Sequence, residues 1–264
     1  MPRFEPHPRR RPSVIAGASS GIGAATAAAL AESGHPVALG ARRVEECEKV
    51  ADRIRAGGGE AFVHRLDVSD PDSVKQFAAA ATEALGPVEI LVSGAGDLES
   101  SLVHEMDAER FSAQVQVHLV GAHRLVSELV PDMVRRRRGD IVFIGSDVVR
   151  APRPRMGAYV PSKAGVEAMA RALQMELEGT GVRASIVRPG PTLTGMGMSW
   201  DPGVVGPLLQ DWSKWGFARH PYFLRPSDIA AAVHNAVSVP RGVHIALVEV
   251  QPEAPLKKEQ DDAS

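Results

Sequence analysis

Short runs of aliphatic and β-branched residues alternate along the chain with longer, alanine-rich stretches that also carry polar residues. The short runs predict seven strands, at residues 13–16, 37–40, 61–66, 89–93, 140–144, 184–187 and 244–248. The longer stretches predict helices at residues 22–33, 44–56, 72–85, 108–137, 159–178 and 227–237. Because a crossover between parallel strands needs a helix, this alternation predicts an α/β fold: a doubly wound parallel sheet with helices on both faces.

The length and composition favour one domain. A chain of 264 residues with 44% hydrophobic content can bury one sizeable core. We expect a single ligand-binding and catalytic domain over residues 13–250, since no internal repeat or low-complexity linker divides it. Residues 1–12 are basic and proline-rich and are expected to form a disordered arm, and residues 251–264 a loose polar tail. In such a sheet, ligands bind outside the strand carboxyl ends, where strand order reverses.

Charge and composition argue against several classes of function. The formal net charge of −2 gives no electrostatic reason to expect nucleic acid or an anionic membrane as a partner. The single cysteine, Cys47, excludes an internal disulfide and a multi-cysteine metal site, and it favours a reducing, cytoplasmic location. No apolar run approaches the roughly 20 residues that span a bilayer. Arginines 9–11 resemble the start of an export signal, but no apolar segment with a cleavage site follows them.

A glycine-rich turn follows the first predicted strand and opens the first predicted helix. It reads Gly-Ala-Ser-Ser-Gly-Ile-Gly over residues 17–23. The glycines Gly17, Gly21 and Gly23 allow the backbone to approach a pyrophosphate, and the helix N-terminus attracts that anion. The predicted cofactor site also includes Ser19, Ser20 and Ile22. A purely structural turn is the alternative, because the spacing differs from the commoner Gly-x-Gly-x-x-Gly.

The end of the second strand indicates which dinucleotide binds. An acidic side chain there would hydrogen-bond the 2′-hydroxyl of the adenosine ribose. The chain has Arg42 and Arg43 instead, and a guanidinium suits a 2′-phosphate by charge and planar shape. We therefore expect NADP(H), with NAD(H) as the alternative, although Arg43 could simply begin a solvated helix. Asp67, beside Val68 at the end of the third strand, could reach the adenine or could stabilise the turn.

The candidate reactive group consists of Ser146, Tyr159 and Lys163. Ser146 closes the fifth strand, and the four-residue spacing of Tyr159 and Lys163 places them on one helix face. A lysine ammonium and a cationic oxidised nicotinamide would lower the tyrosine pKa from about 10. Ser146 could then hydrogen-bond the substrate oxygen while Tyr159 transfers the proton and the nicotinamide the hydride. The alternative is an ordinary amphipathic helix that happens to carry Tyr-x-x-x-Lys.

In order and over residues 12–250, these motifs resemble the single-domain short-chain dehydrogenases/reductases. The matching segments are AGASSGIG at 16–23, LDV at 66–68, SGAG at 93–96, Ser146, YVPSK at 159–163 and RPGPTLT at 188–194. The resemblance implies a seven-stranded Rossmann-like sheet in a homodimer or homotetramer, with the catalytic roles given above. It also implies that Lys163 binds the nicotinamide ribose. The remaining implied cofactor contacts are Ala95 and Gly96, which leave room for it, and Pro189, Gly190, Thr192 and Thr194 on the nicotinamide side.

Three positions depart from the family pattern. Ser93 replaces the first Asn of Asn-Asn-Ala-Gly, which removes a hydrogen-bonding side chain from the fourth strand. His118 replaces the family's catalytic Asn; it could hold the relay water and alter the pH profile, or be an ordinary structural histidine. Ser20 stands where many NADP users carry a second basic residue, so the NADP(H) prediction depends chiefly on Arg42.

Residues 195–225 are expected to form a substrate lid. They hold all three tryptophans, two methionines, and the aromatic residues Phe217, Tyr222 and Phe223. This composition could cover a fairly large apolar substrate, such as a ring ketone or steroid-like alcohol, or could form packed core or a subunit interface. Residues 97–103 and 147–149 are expected to border the same cleft.

The sequence therefore predicts an oxidoreductase that interconverts a secondary alcohol and a ketone with NADP(H). A catalytically silent NAD(P)-binding sensor or scaffold is the alternative from another class. The complete Ser146, Tyr159 and Lys163 set argues against it, whereas the replaced asparagines favour it. An epimerase or dehydratase on nucleotide sugars would need a longer C-terminal substrate domain than this sequence has.

Overall fold

The structure, a computed structural model, describes residues 4–194, 202–215 and 222–256. Within these residues seven strands form one sheet: β1 Ser13–Ala16, β2 Val37–Ala41, β3 Ala61–Arg65, β4 Ile90–Ser93, β5 Gly139–Ile144, β6 Val182–Pro189 and β7 Leu247–Val250. All neighbouring strands are parallel, in the order β3-β2-β1-β4-β5-β6-β7. The predicted doubly wound sheet is confirmed, and its strand order reverses between β1 and β4.

Helices connect the strands as the alternating pattern predicts. They are α1 Gly21–Glu32, α2 Val44–Ala56, α3 Pro71–Leu85, α4 Ala108–Val115, α5 Gly121–Arg135, α6 Tyr159–Glu176, α7 Pro202–Lys214 and α8 Pro226–Ser238. A π-helical segment, Gln116–Val120, joins α4 to α5 without a break. The helix predicted at 108–137 is therefore one rod with a wider turn at its centre. In the described part of the chain, no helix combines the length and apolarity needed to cross a membrane.

Helices pack on both faces of the sheet because alternate side chains of each strand point to opposite sides. Helices α3, α5 and α6 cover one face, where Phe77, Leu125 and Phe143 are fully buried. Helices α1, α2 and α8 cover the other, around Leu30 and Ile229. Strand β6 extends two residues beyond its predicted limits at each end, because it pairs with β5 at its start and with β7 at its end.

The N-terminal segment differs from the predicted disordered arm over residues 1–12. Arg11 is only 1% exposed, and its guanidinium pairs with Asp140 in β5 and donates to the Val237 carbonyl at 2.8 Å. Arg183 of β6 binds the second carboxylate oxygen of Asp140 at 2.6 Å. Asp140 and Val237 lie 129 and 226 residues from Arg11 along the chain, so the local composition could not reveal them.

The polar C-terminal tail is also tied down where it begins. Gln251 donates to Glu249 at 3.1 Å and to Asp147 at 3.4 Å, and Pro252 is buried. These contacts place the start of the tail beside the segment that follows β5. The prediction of a loose tail is therefore wrong at residues 251 and 252, and residues 257–264 lie outside the described part.

Candidate active site

A cleft of about 850 Å³ lies at the carboxyl ends of the strands, beside the reversal of strand order between β1 and β4. Every residue predicted to bind the cofactor lines it: Gly17, Ser19, Ser20, Gly21, Ile22, Gly23, Arg42, Arg43, Asp67, Val68, Ala95, Gly96, Tyr159, Lys163, Pro189, Gly190, Thr192 and Thr194. Ser146 also lines the cleft, whereas His118 is buried beside it against Gly96 and Tyr159. The position agrees with the site expected for a doubly wound sheet.

Close packing explains the glycines of the turn that follows β1. Gly17 has a φ of +88°, and a β-carbon there would lie 2.9 Å from the Ala95 backbone. A β-carbon on Gly23 would lie 2.2 Å from the Gly17 carbonyl oxygen. Helix α1 then begins without a hydrogen bond from a side-chain cap. The turn thus brings bare backbone and a helix N-terminus to the cleft, which is the arrangement that favours a phosphate.

Two arginines lie where β2 ends. Both Arg42 and Arg43 are exposed and line the cleft. The Arg43 Nη2 atom donates to the hydroxyls of Ser19 and Ser20, at 3.0 Å each, so its guanidinium lies over the glycine turn. The family's second basic position is a serine in this chain, but Arg43 brings a cation to that place from the next element. Arg43 therefore does more than begin helix α2.

Asp67 stabilises the turn between β3 and α3. Its carboxylate accepts from the Ser69 amide at 3.0 Å and the Ser69 hydroxyl at 2.6 Å. The hydroxyl bond is the main cause of a lowered pKa for Asp67. Its own amide donates to Ser73 Oγ at 2.9 Å. Of its two predicted roles, these contacts support the structural one, although Asp67 also lines the cleft.

The structure brings Ser146, Tyr159 and Lys163 together. Ser146 follows β5, where its hydroxyl accepts from the Val148 amide at 3.4 Å and hydrogen-bonds the Tyr159 phenol. Tyr159 begins α6, and Lys163 follows one turn later. The Lys163 Nζ atom donates to the Ile144 carbonyl at 2.8 Å and lies 5.6 Å from the centroid of the tyrosine ring.

Burial dominates the electrostatics of this group. Burial raises the pKa of Tyr159 to about 12, although the Ser146 hydrogen bond opposes the rise. Burial also lowers the pKa of Lys163 to about 8, with the Glu167 carboxylate opposing the fall. For the protein groups alone the tyrosine pKa is raised and not lowered, because desolvation of the phenolate outweighs the Ser146 hydrogen bond and the Arg153 charge. The contribution expected from the oxidised nicotinamide stays a prediction.

His118 is a neutral imidazole. It lies in the π-helical segment, 3% exposed, and its ring meets the Tyr159 ring edge-on with 5.3 Å between centroids. Its Nε2 atom lies 2.6 Å from the Asp97 carbonyl oxygen, which can only accept, and 3.3 Å from the Asp97 amide nitrogen, which can only donate. The much shorter contact to the carbonyl favours the tautomer with the proton on Nε2. The Nδ1 atom has no hydrogen-bond partner among the described residues. Burial, with a contribution from the Lys163 charge, lowers the pKa of His118 to about 3.

Apolar side chains line the end of the cleft beside α7. Helix α7 and the residues before α8 contribute Val205, Leu208, Leu209, Trp212 and Phe223. These residues support the pocket interpretation of the predicted lid. Trp200, Phe217 and both methionines of the lid lie outside the described residues. Of the two segments expected to border the cleft, Asp97, Leu98, Asp147 and Val148 line it, but Val149 and residues 99–103 do not.

Sequence reasoning missed Arg153 and Met156, which also line the cleft. They lie in the irregular segment between Ser146 and Tyr159, where no periodicity indicates the direction of a side chain. A cation between two predicted catalytic residues was the available signal for Arg153. Its partners Asp147 and Trp212 become visible only in the folded chain.

Comparisons with known sequences agree with this geometry. A family model described as short chain dehydrogenase matches residues 13–204. Glycine betaine reductase ATRR of Emericella nidulans is 37% identical over 239 residues, which cover 90% of this chain but 18% of that protein. The 2,3-dihydro-2,3-dihydroxybenzoate dehydrogenase of Bacillus subtilis is 34% identical over 240 residues, covering 88% of this chain and 90% of that enzyme. The chain thus matches nearly the whole of the second relative and a small part of the first.

Solved structures share the fold over almost the whole chain. An alcohol dehydrogenase from the archaeon Thermococcus sibiricus, complexed with 5-hydroxy-NADP, has a TM-score of 0.78 and 32% identity. It covers 93% of this chain and 100% of its own. A metagenomic short-chain oxidoreductase in complex with NADP has a TM-score of 0.77 and 30% identity, over 93% of this chain and 98% of its own.

Proposed function

This chain belongs to the short-chain dehydrogenase/reductase family, and on that premise we propose that it is an NADP(H)-dependent enzyme that interconverts a secondary alcohol and a ketone. The observation that carries the proposal is the convergence of Ser146, Tyr159 and Lys163 in one cleft with the glycine turn and two arginines. Its catalytic domain comprises residues 13–250.

The cleft residues fit a phosphorylated dinucleotide. The start of α1 has no side-chain cap, and its N–H groups and dipole favour a pyrophosphate. Arg42 and Arg43 supply two guanidiniums at the end of β2, where an NAD-type site would carry a carboxylate. When bound, the cofactor donates or accepts the hydride. The two related structures that contain NADP-type cofactors support the same choice.

Three side chains handle the substrate oxygen and its proton. Ser146 hydrogen-bonds the oxygen, and Tyr159 donates a proton to it during ketone reduction. The high pKa of the buried phenol keeps Tyr159 protonated and ready to act as that acid. For alcohol oxidation the phenol must lose its proton, and the Lys163 ammonium favours the phenolate at pH values below its own pKa of about 8.

His118 takes the place of the family's catalytic asparagine. Its Nε2–H bond to the Asp97 carbonyl fixes the ring, so Nδ1 is left as an acceptor. We propose that Nδ1 accepts a hydrogen bond from the relay water that connects Lys163 to solvent. A neutral ring suits this role, because a protonated one would repel the lysine cation.

The proposed substrate is a fairly large apolar ring ketone or alcohol. Leu98, Val148, Met156, Trp212 and Phe223 form an apolar wall around the polar end of the cleft, which supports this class. The family resemblance supports a homodimer or homotetramer in the cytoplasm, and light scattering after size-exclusion chromatography tests that assembly.

The test is turnover of cyclohexanone, 2-tetralone and 1-decalone, followed by cofactor absorbance with NADPH and with NADH. Tyr159→Phe should lower turnover by about 10²-fold or more, since it removes the acid, while NADPH affinity stays close to that of the wild type. Tyr222→Phe removes the chain's other phenol, which does not line the cleft, and should keep turnover. Retained activity in Tyr159→Phe would disprove the mechanism. Tight NADPH binding without turnover by the wild type would favour the sensor or scaffold.

A further inference from the structure

An ion pair lies directly beside the reactive residues. Asp147 follows Ser146 in the chain, and both of its carboxylate oxygens bind the Arg153 guanidinium, with 3.0 Å between Nη1 and Oδ1. The two side chains are 7% and 9% exposed, so the pair is almost removed from water. Gln251 also donates to the carboxylate, at 3.4 Å. Both members of the pair line the cleft.

The same guanidinium contacts α7, the helix at the substrate end of the cleft, which we call the lid helix. Arg153 stacks over the Trp212 ring with 5.4 Å between its Cζ and the ring centroid, and the Trp212 indole N–H donates to the Pro154 carbonyl at 3.2 Å. Close by, Arg155 pairs with Asp211 of the same helix at 2.8 Å. Of these three contacts, only the one between Arg153 and Trp212 involves the ion pair.

Charged and titratable groups face Tyr159 from each element around it. Lys163 lies on its own helix and neutral His118 on the π-helical segment. Asp97, after β4, lines the same cleft. The pair follows β5, and its two charges act in opposite directions: the Asp147 carboxylate raises the pKa of Tyr159 and the Arg153 guanidinium lowers it. Removal of one charge therefore leaves the effect of the other on the Tyr159 pKa uncompensated.

We propose that the Asp147–Arg153 ion pair is a positioning element that joins the lid helix to the proton-transfer site. Trp212 holds Arg153 against Asp147, and the closed pair keeps the charge beside Tyr159 balanced. The catalytic meaning of this element rests on the proposed function, in which Tyr159 transfers the proton. Single removal of the two charges should have opposite effects that cancel when both are removed, whereas a merely structural pair would show no such sign reversal.

The test titrates the Tyr159 phenol of the full chain by tyrosinate absorbance. Because the chain has two tyrosines, the Tyr222→Phe background leaves Tyr159 as its only phenol. With a pKa of about 12, roughly a tenth of it is ionised at pH 11. Asp147→Asn should move the titration down by about 1 pH unit, and Arg153→Gln should move it up by a similar amount. The double variant should return close to the background, with circular dichroism confirming the fold at each pH.

The pH dependence of turnover should shift in the same directions as the phenol titration. Oxidation of 2-tetralol with NADP⁺ requires the phenolate, so the rise of kcat/KM with pH should start lower in Asp147→Asn and higher in Arg153→Gln. If Arg153→Gln does not fold, the direction of the Asp147→Asn shift and its reversal in the double variant still decide the question. Shifts of both single variants in one direction, or a double variant as displaced as a single one, would overturn the proposal.

The lid contact is tested by two matched variants of neighbouring contacts. Trp212→Leu should move the phenol titration upward, as Arg153→Gln does, because the guanidinium loses its support. Arg155→Gln breaks the adjacent contact of the same helix and should leave the titration where it was. Equal shifts of the phenol titration in Trp212→Leu and Arg155→Gln would show that the lid helix does not act through the ion pair. The titration needs no substrate, so its failure is separate from failure of the proposed function, which would appear as turnover by Tyr159→Phe.

Discussion

Replacing His118 by asparagine is expected to make the protein less sensitive to acid. Burial holds the pKa of His118 at about 3 in the folded chain, whereas an unfolded histidine titrates near 6.5. Between these values the unfolded state binds a proton that the folded state does not, so the free energy of unfolding falls as the pH falls. Above pH 6.5 the imidazole is neutral in both states, and the full stability is present.

The magnitude follows from the two pKa values. Each pH unit below 6.5 lowers the free energy of unfolding by about 1.4 kcal/mol until the folded histidine itself titrates. His118 therefore lowers it by about 2 kcal/mol between pH 8 and pH 5. Other groups add to the acid response, since burial also lowers the pKa of His7 and His35. The difference between variants therefore isolates His118, whereas the total loss does not.

Urea unfolding at pH 8 and pH 5, followed by circular dichroism, measures this difference. Between pH 8 and pH 5 the free energy of unfolding of His118→Asn should fall by about 2 kcal/mol less than that of the wild type, whatever the stability of the variant at pH 8. His123→Asn, which changes an exposed histidine of α5, should lose as much as the wild type. Equal losses in the wild type and His118→Asn would refute the conclusion that burial keeps this imidazole neutral.

Two further substitutions test the cofactor site and the N-terminal segment. Arg42→Ala should lower the ratio of NADPH to NADH affinity by about 10-fold or more, because it removes a charged contact to the 2′-phosphate; fluorescence titrations measure the ratio, and an unchanged value would refute the assignment. Arg11→Met should lower the free energy of unfolding by about 3 kcal/mol, because two buried carboxylates lose a cation. In the same urea titration Arg10→Met, which breaks an exposed pair, should cost less than about 1 kcal/mol, and equal losses would contradict the role of burial.

The sequence was sufficient for features that depend on local spacing. Strands and helices alternate with short connections, so their order and the parallel sheet followed from the pattern. The glycine turn, Ser146 and the Tyr159–Lys163 pair each lie at a strand end or one helical turn apart. A parallel sheet brings its carboxyl ends to one edge, and that rule predicted a shared cleft for the glycine turn and Ser146. The family resemblance added Tyr159 and Lys163 to it.

Features set by distant contacts escaped prediction. Residues 1–12 have the composition of a disordered arm. The partners that hold Arg11 lie far away in sequence, in β5 and α8, and are visible only in the fold. Tyr159 was expected to have a lowered pKa beside Lys163 and an oxidised nicotinamide, but only the folded chain reveals how deeply the phenol is buried. Arg153 lies in an irregular segment that has no sequence period, so its contact with Trp212 of α7 is visible only in the folded chain.

The π-helical segment between α4 and α5 makes this part of the chain sensitive to the number of its residues. Its wider turn holds one residue more than an α-helical turn would. Deleting one residue from 116–120 would let the segment close into an ordinary α-helical turn, so α4 and α5 could stay aligned while the side chains within the segment change direction. His118 would then lose its place against the Tyr159 ring. Length changes here should therefore disturb the site as strongly as substitutions in the cleft, because the segment places Val117 at the cleft and His118 against Tyr159.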